Sequence, residues 1–172
     1  VIVDYCAGRS TKTNQIAAIW PQATIFATDV DRERFDVLSQ TFAGHERVHV
    51  LPVDALRKQV ASQPADLLLL DVPCSNTAVL ARRPEARYRY SDGSIQSLID
   101  LQQLIMQHAI PWVQKGGHVC YCTCSLDVRE NQQQVRWLTE KSGATLVNEA
   151  LILPKGIGDT YHESHFHARL CV

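Results

Sequence analysis

The chain has no apolar run close to the roughly 20 residues that a bilayer-spanning helix needs. It also lacks repeats, low-complexity tracts and any Gly/Ser-rich linker. Its first residues, Val1 to Tyr5, have the pattern of a strand rather than of a basic and then apolar leader. We therefore expect a single folded domain over residues 1–172, with no membrane partner and with the cytoplasm as its compartment.

Net charge is also nearly absent, at -1, so the whole molecule does not attract phosphate. Contact with a nucleic acid must come from a local patch. The segment 82–90 interleaves arginines with tyrosines, a composition that binds phosphates and stacks on unpaired bases. A solvated loop with packed tyrosines explains the segment equally well. The candidate RNA-binding residues are Arg82, Arg83, Arg87, Tyr88 and Arg89.

Neither a GxxxxGK[ST] loop nor a CxxC pair occurs in the chain. A phosphate-cradling loop is therefore absent, and a thiol redox domain is the weakest of the functions considered. The six cysteines are spaced as residues along strands, and a core of this size needs no disulfides, so we expect them to be reduced.

Short apolar runs alternate with helix-length amphipathic segments, the rhythm of βαβ units and a parallel sheet. Strands are predicted at Val1 to Tyr5, Thr24 to Thr28, Val48 to Pro52, Asp66 to Asp71 and Gly117 to Cys122. Helices are predicted at Thr11 to Trp20, Asp31 to Phe42, briefly after Asp54, at Ser94 to Val113 and at Val128 to Lys141 with Asp127 as N-cap. An antiparallel pair, Ala144 to Glu149 with His165 to Val172, completes a seven-stranded sheet.

Acidic residues follow successive predicted strands, at Asp4, Asp29, Asp54 and Asp71. Ligands of open α/β sheets bind at the carboxyl edge, where a carboxylate after the second strand can hold both hydroxyls of a ribose. Simple capping of the next helix by Asp29 or Asp31 is the alternative. A rim of carboxylates repels phosphate, so the pattern favours a neutral or cationic nucleoside-like cofactor. The turn after the first strand contains one glycine, Gly8, and alone is a weak signal for a cofactor.

Two cysteines stand where predicted strands end, Cys74 after Asp71 and Cys124 after the fifth strand. Two thiols at one sheet edge suggest covalent chemistry. Cys120 and Cys122 alternate with Cys124 and are interpreted as small core residues, since same-face strand positions chelate a metal poorly. His162, His165 and His167 are interpreted as incidental to a hairpin, and no metal is expected.

These residues resemble a known family, the Sun/Fmu-type RNA cytosine-carbon-5 methyltransferases, which are similar to ribosomal RNA small subunit methyltransferase B. The segment Asp71 to Glu85 resembles their aspartate, proline-cysteine-serine and arginine-proline motif. Thr123-Cys124-Ser125 with Glu130-Asn131 resembles their second cysteine motif. The turn from Asp4 to Thr13 is similar to their cofactor loop, and Phe166 to Leu170 to their closing strand.

The resemblance implies a class I, Rossmann-like methyltransferase fold with helices on both faces of a mostly parallel sheet, and S-adenosylmethionine as cofactor. It implies that Cys124 attacks carbon 6 of a cytosine in RNA, that Asp71 binds the pyrimidine edge and that Cys74 assists release of the adduct. Asp29 would hold the ribose and Asp54 the adenine, with Asp71 at the same edge. Cys6, Ala7, Gly8 and Lys12 would flank the methionine portion.

The chain departs from the family pattern in two places. Arg9, Ser10 and Thr11 replace a proline and two glycines of the cofactor loop, and Ser75-Asn76-Thr77-Ala78 replaces serine-glycine-threonine-glycine. A non-catalytic RNA-binding relative and a DNA cytosine methyltransferase with Cys74 as the attacker are the alternatives. The sequence begins abruptly on its first strand, so we expect a fragment of a longer protein whose N-terminal RNA-binding segment is missing.

Overall fold

A computed structural model describes all residues from 1 to 172. It contains one seven-stranded sheet with the order β3-β2-β1-β4-β5-β7-β6. The strands are β1 (Ile2–Asp4), β2 (Ile25–Ala27), β3 (Val48–Val50), β4 (Ala65–Asp71), β5 (Val113–Thr123), β6 (Thr145–Ile152) and β7 (His165–Cys171). The helices are α1 (Thr11–Ile19), α2 (Arg32–Thr41), α3 (Val53–Ser62), α4 (Ala86–Arg89), α5 (Asp92–Ala109) and α6 (Gln132–Ser142).

The strand pairings confirm the fold class expected from the sequence. β1 pairs in parallel with β2 and β4, and β2 pairs in parallel with β3. β6 and β7 pair antiparallel, with a register shift between Leu146 and Asn148. The molecule therefore has a mostly parallel, Rossmann-like sheet that ends in an antiparallel pair.

Three helix boundaries differ from the sequence expectations. α3 begins at Val53 and has ten residues, so Asp54 lies inside its first turn rather than before a short helix. α5 ends at Ala109 because Pro111 cannot continue an α-helix, and a 3-10 turn follows. α6 begins at Gln132 with Asn131 as N-cap, so the expected capping role of Asp127 is wrong.

The chain forms two compact units. The first unit comprises Val1–Asp71 and Ala109–Val119. Its core is built from the apolar runs of β1, β2 and β4, in which Val3, Ile25 and Leu68 are fully buried. The ring of Tyr5 meets the ring of Trp112 edge to face, with centroids 4.9 Å apart.

The second unit comprises Val72–His108 and Cys120–Val172. Its fully buried side chains include Tyr121 and Phe166 on the strands and Met106 and Leu138 on the helices. The buried positions of α5 in this unit include Ile95, Gln102 and Met106, so one amide shares the apolar stripe of that helix. No helix of the molecule is both long enough and apolar enough to cross a membrane.

Candidate active site

In the first unit, the turn after β1 is tied to the tip of β2 by one carboxylate. The backbone N–H of Gly8 donates to Asp29 Oδ2 and the N–H of Asp31 donates to Asp29 Oδ1, both at 2.9 Å. Asp31 caps α2, since its side chain accepts a hydrogen bond from the backbone N–H of Arg34 at 3.0 Å. Asp29 thus fixes the turn. Of the two residues considered as caps of the next helix, Asp31 is the one that caps α2.

The rest of this turn is also held by β2. The buried Ala7 donates its N–H to the carbonyl of Thr28 at 3.0 Å. Burial raises the pKa of the Cys6 thiol, and the neighbouring carboxylates of Asp29 and Asp4 raise it further. Cys6 therefore remains a protonated thiol at neutral pH and is a poor nucleophile.

Asp4, the last residue of β1, is completely buried. Its Oδ2 accepts a hydrogen bond from Thr13 Oγ1 at 2.7 Å, while its Oδ1 has no partner. Burial raises the pKa of Asp4 to about 7, although the bond from Thr13 lowers it. The carboxyl is therefore partly protonated at neutral pH, and the negative charge of the expected acidic rim falls mainly on the other acids.

Asp71 ends β4 and pairs with Lys12 of α1, whose Nζ lies 2.5 Å from Asp71 Oδ2. Both side chains are partly exposed, at 42% for Lys12 and 32% for Asp71. Asp54 is exposed in the first turn of α3, where a negative charge favours the helix dipole. The first unit thus brings Lys12 to Asp71 and Gly8 to Asp29.

The departures from the family pattern in this turn have distinct structural consequences. The Arg9 side chain is 68% exposed and its Nη2 lies 3.2 Å from Glu33 Oε1, so it extends along the surface. Ser10 has φ of 82°, a left-handed conformation that favours glycine. Thr11 begins α1. Of the three replacements, only Ser10 occupies a backbone position that requires a glycine-like conformation.

In the second unit, the two motif cysteines are in contact. Cys74 Sγ lies 3.4 Å from Cys124 Sγ and accepts a hydrogen bond from the Cys124 backbone N–H at 3.3 Å. The hydrogen bond to Cys124 raises the pKa of Cys74, and burial raises it further. Cys74 is therefore held as a thiol beside the second sulfur.

Asn76 is the residue that lies between the two cysteine loops. Its Oδ1 accepts a hydrogen bond from Cys124 Sγ at 3.2 Å and its Nδ2 donates to the Cys74 carbonyl at 2.9 Å. Its φ of 61° is the left-handed conformation that asparagine tolerates better than most residues. The replacement of a family glycine by Asn76 thus adds an amide next to Cys124, which the sequence alone did not indicate.

A buried carboxylate, Glu130, connects the two cysteine loops. Its Oε1 accepts the backbone N–H of Ser75 and the Gln102 amide, both at 3.0 Å. Its Oε2 accepts the hydroxyls of Ser75 and Ser125 at 2.5 and 2.6 Å. Glu130 is fully buried and is an internal acceptor for four donors.

Further buried bonds hold the end of β5. The Tyr121 hydroxyl donates to the Glu130 carbonyl at 2.7 Å, and Thr123 Oγ1 donates to Asn131 Oδ1 at 2.5 Å. Burial raises the pKa of Tyr121 well above its usual range. Gln102 was missed at the sequence level, although an amide at a core position of the α5 stripe is a usable signal for a buried polar contact.

Some arginines of segment 82–90 pair with acidic side chains and others do not. Arg82 forms an ion pair with Glu163, and Arg89 lies 3.9 Å from Glu85. Arg87 lies over the Tyr88 ring at 4.6 Å. Arg83 is exposed and has no acidic partner. The segment therefore presents Arg83 and Arg87 as the cations most available to a phosphate.

This segment is attached to the second cysteine motif through Asp127. Both Asp127 oxygens accept hydrogen bonds from the Arg129 guanidinium, and the Tyr90 hydroxyl donates to Asp127 Oδ2 at 2.7 Å. The bond from Arg129 is the main reason that the pKa of Asp127 falls to about 2. Arg129 also reaches Asp92, at 3.1 Å.

The remaining cysteines and the histidines lie outside these contacts. Cys120 and Cys122 are half-buried with sulfur atoms 3.8 Å apart. His165 and His167 stack with ring centroids 5.6 Å apart on β7. No group of three or more His, Cys, Asp or Glu side chains is arranged to hold a metal ion.

Comparison with known proteins identifies relatives along the whole chain. Residues 1–166 match the family described as 16S rRNA methyltransferase RsmB/F. The chain is 31% identical to ribosomal RNA small subunit methyltransferase B of Yersinia enterocolitica, covering 98% of this chain and 41% of that protein. It is 35% identical to the protein of the same name from an Enterobacter species, covering 84% and 35%. The chain thus spans about two fifths of the length of these curated relatives.

Solved structures also match almost the whole chain. The structure of PH0851 has a TM-score of 0.78 at 26% identity and covers 98% of this chain and 42% of that chain. NSun6 from Pyrococcus horikoshii, solved with SFG, has a TM-score of 0.79 at 24% identity, covering 99% and 47%, and supports the fold. The order of the two cysteine motifs, the sheet topology and the sequence match agree, and the chain belongs to the 16S rRNA methyltransferase RsmB/F family.

Proposed function

We propose that this chain is the catalytic part of an S-adenosylmethionine-dependent enzyme that methylates carbon 5 of a cytosine in ribosomal RNA through a covalent cysteine adduct. The observation that carries the proposal is the contact between Cys74 Sγ and Cys124 Sγ at 3.4 Å. One thiol can bond to the base, and the second, which stays protonated, can assist the release of the first.

The residues of the first unit fit the cofactor. S-adenosylmethionine would supply a methyl group on a positively charged sulfur. Asp71 is a partly exposed carboxylate, and Asp29 keeps lone pairs for ribose hydroxyls beyond its two backbone bonds. A Cβ placed on Gly8 would meet no atom within 4 Å, so the space beside this backbone is open to a ligand. Cys6, Ala7 and Lys12 would flank the methionine portion, with Asp54 beside the adenine.

Cys124 performs the attack on the pyrimidine. Its sulfur, as a thiolate, adds to carbon 6, and the electron pair of the C5–C6 double bond moves so that carbon 5 becomes nucleophilic. Lys12 and Asp71 form an ion pair that holds the Asp71 carboxylate in one orientation. The proton that Cys124 loses is taken up by nitrogen 3 of the ring, and Asp71 accepts a hydrogen bond from that N–H and so stabilises the protonated ring.

Cys74 acts in release. Its raised pKa keeps it protonated, so it does not compete as a nucleophile at neutral pH. Once the carbon-5 proton has been lost to a base, the bond between carbon 6 and Cys124 breaks. Cys124 leaves as a thiolate while the C5–C6 double bond re-forms, and the Cys74 thiol can stabilise the departing sulfur by donating a hydrogen bond across the 3.4 Å contact.

The experiment is capture of the adduct on RNA that contains 5-fluorocytosine, since fluorine at carbon 5 cannot leave as a proton. With S-adenosylmethionine present, the wild-type protein and Cys74→Ala should give a covalent protein–RNA species on a denaturing gel. Cys124→Ala should give none. Adduct formation by Cys124→Ala together with its loss in Cys74→Ala would reverse the assigned roles and favour the DNA-type mechanism.

Calorimetry with S-adenosylmethionine separates the enzyme from a non-catalytic RNA-binding relative. We expect saturable binding that weakens when Asp29 is changed to Ala, because ribose hydroxyls lose their acceptor. Absence of binding by the wild-type protein would contradict the proposed function.

A further inference from the structure

The second unit contains a cavity of about 330 Å³ that the proposed chemistry does not use. It is lined by Thr77, Leu80, Arg87, Tyr90, Leu126 and Asp127. The side chains of Leu80, Tyr90 and Leu126 are 39%, 42% and 46% exposed. The volume lies near the lower end of the range of about 300–1,000 Å³ that is usual for small-ligand pockets. The cavity is therefore large enough for a group of the size of one nucleotide.

The cavity adjoins the attacking thiol without including it. Leu126 follows Cys124 by two residues, which places their Cα atoms within roughly 7 Å of each other. Leu126 donates its backbone N–H to Thr77 Oγ1 at 2.9 Å, and that hydroxyl contacts Ser125 Oγ at 3.2 Å. Neither Cys74 nor Cys124 lines the cavity. A pyrimidine bonded to Cys124 thus lies outside it, and a neighbouring nucleotide of the same strand is within reach.

The polar groups of the cavity wall are already occupied by the protein. Asp127 accepts bonds from Arg129 and from the Tyr90 hydroxyl, and that hydroxyl in turn accepts a bond from Arg129 Nη2 at 3.1 Å. Thr77 Oγ1 accepts from Leu126. What remains for a ligand is the apolar surface of Leu80, Leu126 and the Tyr90 ring, with the Arg87 guanidinium beside it.

We propose that this cavity holds the base of the nucleotide adjacent to the target cytosine, bound by stacking and with little base selectivity. Positive charge supports an RNA strand as the occupant, because Arg87 lines the cavity and Arg83 lies exposed on the same segment for the phosphates. Apolar and aromatic walls bind any base through its flat face, whereas reading a base needs free donors or acceptors. The inference rests on the proposed function, since it takes Cys124 as the position of the target.

The test uses a single-stranded RNA of about nine nucleotides, oligouridine with one central cytosine, in which an abasic site replaces either neighbour of the cytosine. We expect an abasic site on one side to weaken binding about 5- to 150-fold, as for the loss of one stacked base. Adenine, guanine or uracil at that position should bind within about threefold of one another. Unchanged affinity with an abasic site on either side, or strong selection of one base, would overturn the inference.

A matched pair of variants locates the effect in the cavity. Leu126→Gln places an amide in the cavity wall and should reduce the penalty of the abasic site. Leu153→Gln makes the same change at an exposed leucine away from the cavity and should retain the full penalty. An equal abasic penalty in both variants would assign the stacked base to another surface.

The result is independent of the test of catalysis. If 5-fluorocytosine is trapped but the abasic sites have no effect, the proposed function stands and the cavity assignment fails. If the abasic penalty is present and depends on Leu126 but no adduct forms, the stacking site stands and the covalent mechanism fails.

Discussion

At the scale of single residues, two side chains stand at backbone positions that favour glycine. Ser10 has φ of 82° and Asn76 has φ of 61°, and they are the non-glycine residues of the chain with positive φ. Both occur where the sequence replaces a family glycine. At Asn76 the side chain forms two hydrogen bonds that compensate in part for the backbone conformation, while Ser10 accepts one, from Asn14 at 3.2 Å.

Ser10→Gly should therefore stabilise the protein. A left-handed conformation costs a residue with Cβ about 1–2 kcal/mol, against which glycine loses up to about 1 kcal/mol more backbone entropy on folding. We expect the free energy of unfolding in urea to rise by about 0.5–1 kcal/mol. Ser97→Gly, an exposed position inside α5, should lower it. A loss of stability in Ser10→Gly equal to that in Ser97→Gly would show that the turn is not strained.

The buried carboxyl of Asp4 should make stability depend on pH. Its pKa is about 7 in the folded chain and 3.8 in its usual environment, so the folded state binds the extra proton between these values. The free energy of unfolding must therefore fall as pH rises from about 4 to 7, by at most a few kcal/mol at about 1.4 kcal/mol per pKa unit.

Asp4→Asn removes the titrating group, so its stability relative to wild type should rise with pH across this interval and level off above it. Thermal unfolding measured from pH 4 to pH 8 checks this. Asp159→Asn, at an exposed acid, serves as control and should parallel wild type. Parallel curves for wild type and Asp4→Asn would contradict a raised pKa at Asp4.

At the scale of elements, the loop after β4 and the end of β5 depend on one internal acceptor. Glu130 receives four hydrogen bonds, from Ser75, Ser125 and Gln102. Glu130→Ala would leave those donors buried without an acceptor, at about 1–3 kcal/mol each when no water replaces the carboxylate. We expect a loss of at least about 3 kcal/mol in urea unfolding.

Glu149→Ala on the exposed β6 strand is the matched control and should change stability by less than about 0.5 kcal/mol. Glu130→Gln keeps the shape and one oxygen, so its loss of stability should lie between those of Glu130→Ala and Glu149→Ala. A Glu130→Ala protein as stable as Glu149→Ala would show that the carboxylate does not support the cysteine loops.

Elements with a strong period were predictable from the sequence. The apolar runs of β1, β2 and β4 set those strands within one or two residues, and the terminal pair β6 and β7 was found as expected. The start of α6 was not predictable, because residues 128–131 form a turn in which Glu130 and Asn131 are buried. The Asp127 side chain could cap a helix there, but it instead accepts a local bond from Arg129 and a long-range bond from Tyr90.

The candidate site was predictable to the same degree. Residues at strand ends, such as Asp29, Asp71 and Cys124, follow from the alternation of strands and helices. The contacts of Asn76 and Gln102 did not follow, because they depend on loop conformations and on partners such as Cys124 and Pro73, which are 48 and 29 residues away in the chain. 

At the scale of the whole molecule, 17 basic residues face 18 acidic ones. RNA binding should therefore rest on few cations and have a shallow salt dependence, about 0.7 logarithmic units of affinity per unit of log salt for each phosphate contacted by a single strand. Arg83→Ala should weaken binding of oligouridine and reduce that slope by about one contact, because Arg83 has no acidic partner.

Arg136→Ala, an exposed cation on α6 outside the arginine-rich segment, should leave the slope unchanged. Arg82→Ala should have a smaller effect than Arg83→Ala, since Glu163 already neutralises Arg82. Fluorescence anisotropy at several salt concentrations measures all three. Equal salt slopes of the binding affinity for wild type and Arg83→Ala would show that Arg83 does not contact an RNA phosphate.

The closeness of Cys74 and Cys124 also creates a vulnerability. Peroxide can oxidise one of them to a sulfenic acid, which the neighbouring thiol then attacks with release of water. The sulfur atoms, 3.4 Å apart, need approach by only about 1.4 Å to reach disulfide length. A disulfide between Cys74 and Cys124 would thus block the proposed attack by Cys124, and cellular reductants would restore it.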